Sequence, residues 1–143
     1  FGLPASRSDE LPAAPASKND VFEAMVRAFD AVNRRIALGR GPEFQIGHGV
    51  LMRTGDTPSS TDEALDHVTT CWRLIKNHID EAFFGDVRGT AIVLNADRGI
   101  NGNPYSLEET SFGDAPRAQI NGPTTVAREQ LYGLLKALAE TGE

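Results

Sequence analysis

The sequence has few of the residues that cross-link or anchor a protein. Its single cysteine, Cys71, has no partner for an internal disulfide, which excludes a disulfide-stabilised scaffold and is consistent with a reducing cytoplasm. No stretch approaches the run of about 18 apolar residues that a membrane span needs, and no basic segment precedes an apolar one near the start. We therefore expect no membrane span, no signal peptide and a cytoplasmic location.

Basic residues are also in short supply. The chain has 14 Lys and Arg against 20 Asp and Glu, for a net charge of −6. Affinity for nucleic acid comes largely from clustered basic side chains that neutralise phosphates. We therefore predict no direct nucleic-acid binding by this chain.

The short motifs of self-contained catalysis are missing as well. There is no Gly-x-x-x-x-Gly-Lys-Ser/Thr phosphate loop, no Gly-x-Ser-x-Gly nucleophile turn and no Cys-x-x-Cys or His-Glu-x-x-His zinc pair. Two of the three histidines, His67 and His78, are about 16 Å apart along one predicted helix, too far to share a metal. We predict no catalytic residue, no metal site and no activity for this chain alone.

What the sequence does contain is helical periodicity. Apolar residues recur at steps of three and four over 19–38, and again in a long stretch that starts at Ser60 and stops at Gly85. Asp86 is placed to cap a short third helix, and Thr124 or Thr125 to cap a last one. The core anchors expected on the two long helices are Phe22, Phe29, Trp72, Ile75 and Phe83.

The predicted fold is mainly α: a small helical bundle with a little extended structure. Prolines and alanines make 1–18 an extended arm or linker, and 19–97 form the helical domain. Within it, a short extended segment is expected near 44–52. Residues 98–143 are expected to add a loop or a small β hairpin, within 103–121, and a C-terminal helix packed on the same domain.

One glycine-rich segment stands out as a candidate site. It reads Gln45-Ile46-Gly47-His48-Gly49, in which flanking glycines permit close backbone approach and an imidazole can donate and accept hydrogen bonds. Such a unit fits a packed structural corner or a phosphate contact, and the structural interpretation is favoured. A small enzyme centred on His48 is a weaker alternative.

The order of these pieces resembles the C-terminal lid of McrB-type AAA+ NTPases, the motor subunits of modification-dependent restriction systems. The resemblance covers residues 22–95. It runs through Asn33-Arg34-Arg35-Ile36, the Gln45-Ile46-Gly47-His48 run, and a long helix from Trp72 that leads into Phe83-Phe84-Gly85-Asp86. Members of the family continue with Ser and an aromatic pair where this chain has Gly49-Val50-Leu51.

The resemblance implies a fragment of a larger motor. The parent would hydrolyse GTP or ATP with Mg in a core domain that these residues lack, and would assemble into a ring of identical subunits with a possible nuclease partner. Gln45, Gly47 and His48 would then lie near the nucleotide or form a structural corner. The alternative is a free-standing helical module that binds a partner protein and has no nucleotide chemistry.

Overall fold

The computed structural model describes residues 12–51 and 58–140. Its first helix, α1, spans Lys18–Arg40. It runs two residues past the predicted end at 38 and stops at Gly41. Gly41 has a φ of +116°, and its N–H donates to the carbonyls of Ile36 and Ala37. A residue without a side chain can take this backbone conformation, so Gly41 ends the helix.

The second long helix, α2, spans Thr61–Ala82 and begins as the sequence predicts. The Ser60 hydroxyl accepts a hydrogen bond from the Glu63 N–H at 3.1 Å. The Glu63 carboxylate reaches back one residue further than a capping box requires, to the N–H and hydroxyl of Ser59. The buried stripe of α2 contains Leu65, Val68, Cys71, Trp72, Ile75 and Ile79.

The segment between these helices is less extended than predicted. Pro42–Phe44 and His48–Leu51 each form a single 3-10 turn, and Gln45, between them, has an extended backbone. Glycine and proline permit such tight turns, and side chains of the two helices fix them, as shown below. Met52, the end of the predicted segment, lies outside the described residues.

The third helix, α3, spans Val87–Val93, and the Asp86 carboxylate caps it by accepting from the Gly89 N–H at 2.9 Å. A two-stranded antiparallel hairpin follows, with β1 at Ser106–Phe112 and β2 at Ala115–Asn121. Phe112 pairs with Ala115 across the tip. The small β hairpin expected within 103–121 is therefore confirmed, as is the mainly helical fold class.

The last helix, α4, spans Arg128–Ala139 and starts later than predicted. The N-cap position is Ala127, whose N–H donates to the Gln130 side chain at 3.4 Å, so neither Thr124 nor Thr125 is the cap. Both threonines are exposed. Val126, the next residue, is buried and anchors the chain two residues before the helix begins.

The core lies where α1 packs against α4 on one side and α2 on the other. Of the five predicted core anchors, Phe29, Trp72, Ile75 and Phe83 are buried, whereas Phe22 is half-buried at the edge. Residues 1–11 of the predicted arm lie outside the described residues. At its described end, the Pro12 carbonyl accepts hydrogen bonds from the Tyr132 hydroxyl and the Lys136 ammonium, both on α4.

Candidate functional site

The candidate residues lie in a corner between α1 and α2, which we call the corner segment (residues 44–51). Three polar side chains bind its main chain: Asn33 from α1, and His67 and His78 from α2. The corner segment is thus fixed by hydrogen bonds to its backbone, which depend little on the side chains it carries.

Asn33 makes the most complete of these contacts. Its Oδ1 accepts from the Ile46 N–H at 2.7 Å, and its Nδ2 donates to the Ile46 carbonyl at 2.8 Å. The Gln45 Nε2 then donates to the Asn33 carbonyl at 3.1 Å. One carboxamide therefore satisfies both backbone groups of a residue that has no neighbouring strand to pair with.

The two histidines hold the ends of the corner segment. The Nε2 atom of His78 is 2.6 Å from the Phe44 carbonyl oxygen, and that of His67 is 3.3 Å from the Leu51 carbonyl oxygen. A carbonyl only accepts, so each ring must carry a proton on Nε2. Both histidines are engaged in structural contacts, on opposite ends of the same segment.

The predicted site residues themselves face outward. Gln45 and Gly47 are exposed, and the side chain of His48 lies outside the described residues. Within the described residues, the backbone does not require glycine at position 47 or 49. Neither has a positive φ, and a Cβ at either position would meet no described atom within 4 Å. The close approach that glycine permits is not used within the described residues.

Two arginines of α1 bind the carboxyl ends of other helices, which the sequence did not indicate. Arg40 donates from Nε to the Ala82 carbonyl at 2.7 Å, and its guanidinium lies 4.7 Å from the centroid of the Phe83 ring. It also forms an ion pair with Asp86 at 3.4 Å. Arg40 therefore joins the end of α1 to the end of α2 and the cap of α3.

Arg35 plays the same role at the ends of α3 and α4. It donates to the carbonyls of Val93 at 3.2 Å and Glu140 at 2.5 Å, at the ends of α3 and α4. Burial lowers the pKa of this guanidinium to about 10, with further lowering by the nearby charges of Arg34 and Arg98. The positive charge remains at neutral pH and faces the negative ends of two helix dipoles.

Asn95 was also missed by sequence reasoning. It is buried, has a φ of +54°, and donates from Nδ2 to the carbonyls of Ala137 and Glu140 at 2.9 and 3.1 Å. Asparagine tolerates this left-handed conformation better than most residues. Its position directly after the apolar edge of α3 is the one signal that could have marked it.

No arrangement for nucleophilic or metal chemistry is found in the described ranges. Cys71 is buried, its Sγ is 3.5 Å from the His67 Nε2, and burial raises the pKa of its thiol. A raised pKa keeps the thiol protonated and poorly nucleophilic. Across 12–51 and 58–140, no three His, Cys, Asp or Glu side chains are grouped so that they could hold a metal ion.

No protein family, no curated protein and no solved structure matches this chain. Within the described part of the chain, none of the helices is both long and apolar enough to cross a bilayer.

Proposed function

We propose that this chain is the lid region of an AAA+ NTPase that resembles the McrB-type motors. In such a motor a small helical bundle packs over the nucleotide and against the neighbouring subunit, and it converts the nucleotide state into a rigid-body rotation. The parent would be a cytoplasmic ring of identical subunits that hydrolyses GTP or ATP and serves a nuclease or another effector.

The observation that carries this proposal is the pairing of Asn33 with Ile46. These residues belong to two separate parts of the resemblance, the Asn33-Arg34-Arg35-Ile36 run of α1 and the more specific Gln45-Ile46-Gly47-His48 run. They are 13 residues apart in sequence, and two hydrogen bonds join them. Two motif segments that contact each other in the fold are better evidence of common ancestry than either segment alone.

Two further contacts support the same interpretation. His78, on the long helix of the resemblance, binds the Phe44 carbonyl beside that run. Asp86, the last residue of the Phe83-Phe84-Gly85-Asp86 stretch, caps α3 and pairs with Arg40. Trp72 is 3% exposed, which fits a bundle core better than a surface anchor for a partner.

The nucleotide and its Mg would be held by the core domain of the parent. The described residues offer Gln45 and Gly47 as exposed groups at the corner segment, where a core domain could pack. The open space beside Gly47 and Gly49 supports this placement, because a neighbouring domain can approach the backbone closely there.

The coding sequence upstream tests the proposal first. We expect a Gly-x-x-x-x-Gly-Lys-Ser/Thr loop within about 300 residues before Phe1. Finding no such loop would overturn the proposal.

The second test measures GTP and ATP hydrolysis by the parent polypeptide and by this chain alone. We expect turnover by the parent only, and its loss when residues 12–140 are deleted. Asn33→Ala should lower turnover, whereas the matched variant Asn19→Ala, on the exposed start of the same helix, should not. Hydrolysis by the isolated chain would contradict the proposal.

The alternative, a free-standing interaction module, is favoured by exposed aromatic side chains. Phe84, between α2 and α3, is 90% exposed, and Phe112, at the hairpin tip, is 74% exposed. Aromatic residues, phenylalanine among them, are enriched in the cores of protein–protein interfaces relative to the rest of the surface. If the upstream sequence lacks a phosphate loop, this alternative becomes the leading interpretation.

A further inference from the structure

One hydrogen bond shows which backbone groups of the hairpin face its partner strand and which face outward. The Leu107 N–H donates to the Ala96 carbonyl at 3.0 Å, in the turn after α3, and so points away from β2. In an antiparallel pair the N–H and C=O of one residue point to the same side, and residues alternate between facing the partner strand and facing away. Leu107 pairs with Ile120, so the backbone groups of Ile120 also face outward.

The rest of the register follows from that pair. Glu109 and Ala118 form the next outward-facing pair, and Ser111 and Pro116 the one after it. Proline has no N–H, so its place at an outward position is consistent with this assignment. The backbone N–H and C=O of Ala118 and Ile120 form no hydrogen bond with any other element in the described ranges.

This free edge of β2 lies along a cleft of about 530 Å³. Ala118, Gln119 and Ile120 all line the cleft, although successive side chains of a strand point to opposite faces. Three consecutive lining residues therefore place the cleft beside the edge of the strand, not over one face. The opposite wall is the end of α2 and the start of α3, including Phe84 and Val87.

We infer that this cleft binds an extended peptide segment of a partner protein, which adds a third strand to the hairpin beside β2. The outward N–H and C=O groups of Ala118 and Ile120 would pair with the peptide backbone. Alternate peptide side chains would then contact Ile120 on one side and Phe84 and Val87 on the other. The inference stands whether or not the chain is the lid of a motor.

The shape of the cleft favours a single strand over a second copy of this chain. An added strand lies about 4.8 Å from its neighbour and needs room for little more than its own side chains. Here a wall formed by α2 and α3 faces the strand edge, so the cleft has two sides. A second hairpin would bring its own helices against that wall.

The net charge of the chain favours a basic peptide. Asp80 and Asp86 line the cleft with side chains that are 50% and 40% exposed, and each forms an ion pair, with Lys76 and with Arg40 respectively. The whole chain is acidic, with a net charge of −6. Lysine or arginine flanking an apolar residue in an extended segment would complement that net charge.

Fluorescein-labelled heptapeptides test the inference by fluorescence polarisation. Lys-Val-Thr-Val-Thr-Val-Lys should bind saturably and more tightly than Glu-Val-Thr-Val-Thr-Val-Glu. Amide hydrogen exchange of Ala118 and Ile120 should slow when the basic peptide is bound. Absence of saturable binding by the basic peptide, or tighter binding of the acidic one, would overturn the inference.

A proline pair provides matched variants. Ala118→Pro removes an outward N–H from β2 and should weaken the basic peptide by about tenfold, because one net hydrogen bond is worth up to about 1.4 kcal/mol. Ser111→Pro removes an outward N–H from the other edge of the same hairpin and should leave affinity within about twofold. Equal losses in both variants would overturn the assignment to the β2 edge.

Two further measurements keep the test independent of folding. Peptides N-methylated on alternate residues lose the N–H groups of one edge, and only one of the two methylation patterns should abolish binding to the unaltered chain. Sedimentation velocity measures whether the chain forms a dimer in solution. A dimer that Ala118→Pro dissociates would show that the edge binds another copy of this chain, and would contradict the inference.

Discussion

Asn33 pairs with both backbone groups of Ile46, accepting from its N–H at 2.7 Å and donating to its carbonyl at 2.8 Å. The contact joins the middle of α1 to a segment 13 residues later that has no strand partner of its own. Because Ile46 is half-buried, its backbone groups would be only partly compensated by water if this side chain were lost.

We therefore predict that Asn33→Ala lowers the free energy of unfolding of the isolated chain by about 1–3 kcal/mol, the usual cost of leaving a buried donor or acceptor unpaired. Urea denaturation followed by circular dichroism measures the change. Asn33→Asp should recover part of the loss, since a carboxylate can still accept from the Ile46 N–H. Asn19→Ala should change stability by less than about 0.5 kcal/mol. Equal stability of the two alanine variants would show that water replaces the Asn33 contact at no cost.

The elements that could be predicted from the sequence are those with a strong local signal. The apolar stripe of α2 and its Ser60 cap required only periodicity and one hydroxyl. By contrast, the corner segment has no periodicity, and its turns depend on Asn33, His67 and His78, which are distant in sequence. Local patterns do not encode contacts of that kind.

The candidate site, too, could be predicted only in part from the sequence. Composition singled out Gln45-Ile46-Gly47-His48, but it could not show that the space beside Gly47 is open in the described residues. The start of α4 was misplaced because two threonines suited a cap, while the buried Val126 and the Gln130 side chain determine where the helix begins. Tertiary burial overrode local capping preference there.

Two glycines of the chain should respond in opposite ways to alanine. Gly47→Ala should leave stability unchanged or raise it by up to about 1 kcal/mol, because its φ is not positive and its Cβ meets no described atom. Gly41→Ala should destabilise by more than that, since φ is +116° and the added carbon would lie 2.7 Å from the Glu43 side chain. Thermal melts of the two variants measure the difference. A lower melting temperature for Gly47→Ala than for Gly41→Ala would contradict the geometry.

Arg35 and Arg34 form a natural pair of variants, because they are adjacent in sequence but differ in their contacts. Arg35→Ala should lower stability by about 1–3 kcal/mol, since it removes the guanidinium donor from the Val93 carbonyl and leaves the Glu140 carbonyl with Asn95 as its donor. Arg34 is exposed, and Arg34→Ala should have an effect within about 0.5 kcal/mol. Chemical denaturation of both variants against the parent chain measures the two changes. If both variants lose the same stability, net charge and not helix-end capping is the cause.

The two tyrosines, Tyr105 and Tyr132, should ionise at a higher pH in the folded chain than in the unfolded one. Burial raises the pKa of both phenols above the ordinary value of 10.0, and the charge of Asp80 raises that of Tyr105 further, against a hydrogen bond from Trp72 that lowers it. The folded state therefore holds these protons at a pH where the unfolded state has begun to lose them. Stability that is fully present below about pH 10 must fall as the pH rises through that value.

Absorbance at 295 nm, which reports tyrosinate, measures the shift. At pH 10 we expect less than half of the tyrosine to be ionised in the folded chain, and about half in urea, because the unfolded phenols have a pKa near 10. Tyr132→Phe should leave a single late transition from Tyr105, whose hydroxyl donates to the Pro123 carbonyl at 3.1 Å. Coincident titrations of the folded and unfolded chain would show that neither phenol is held in the environment described.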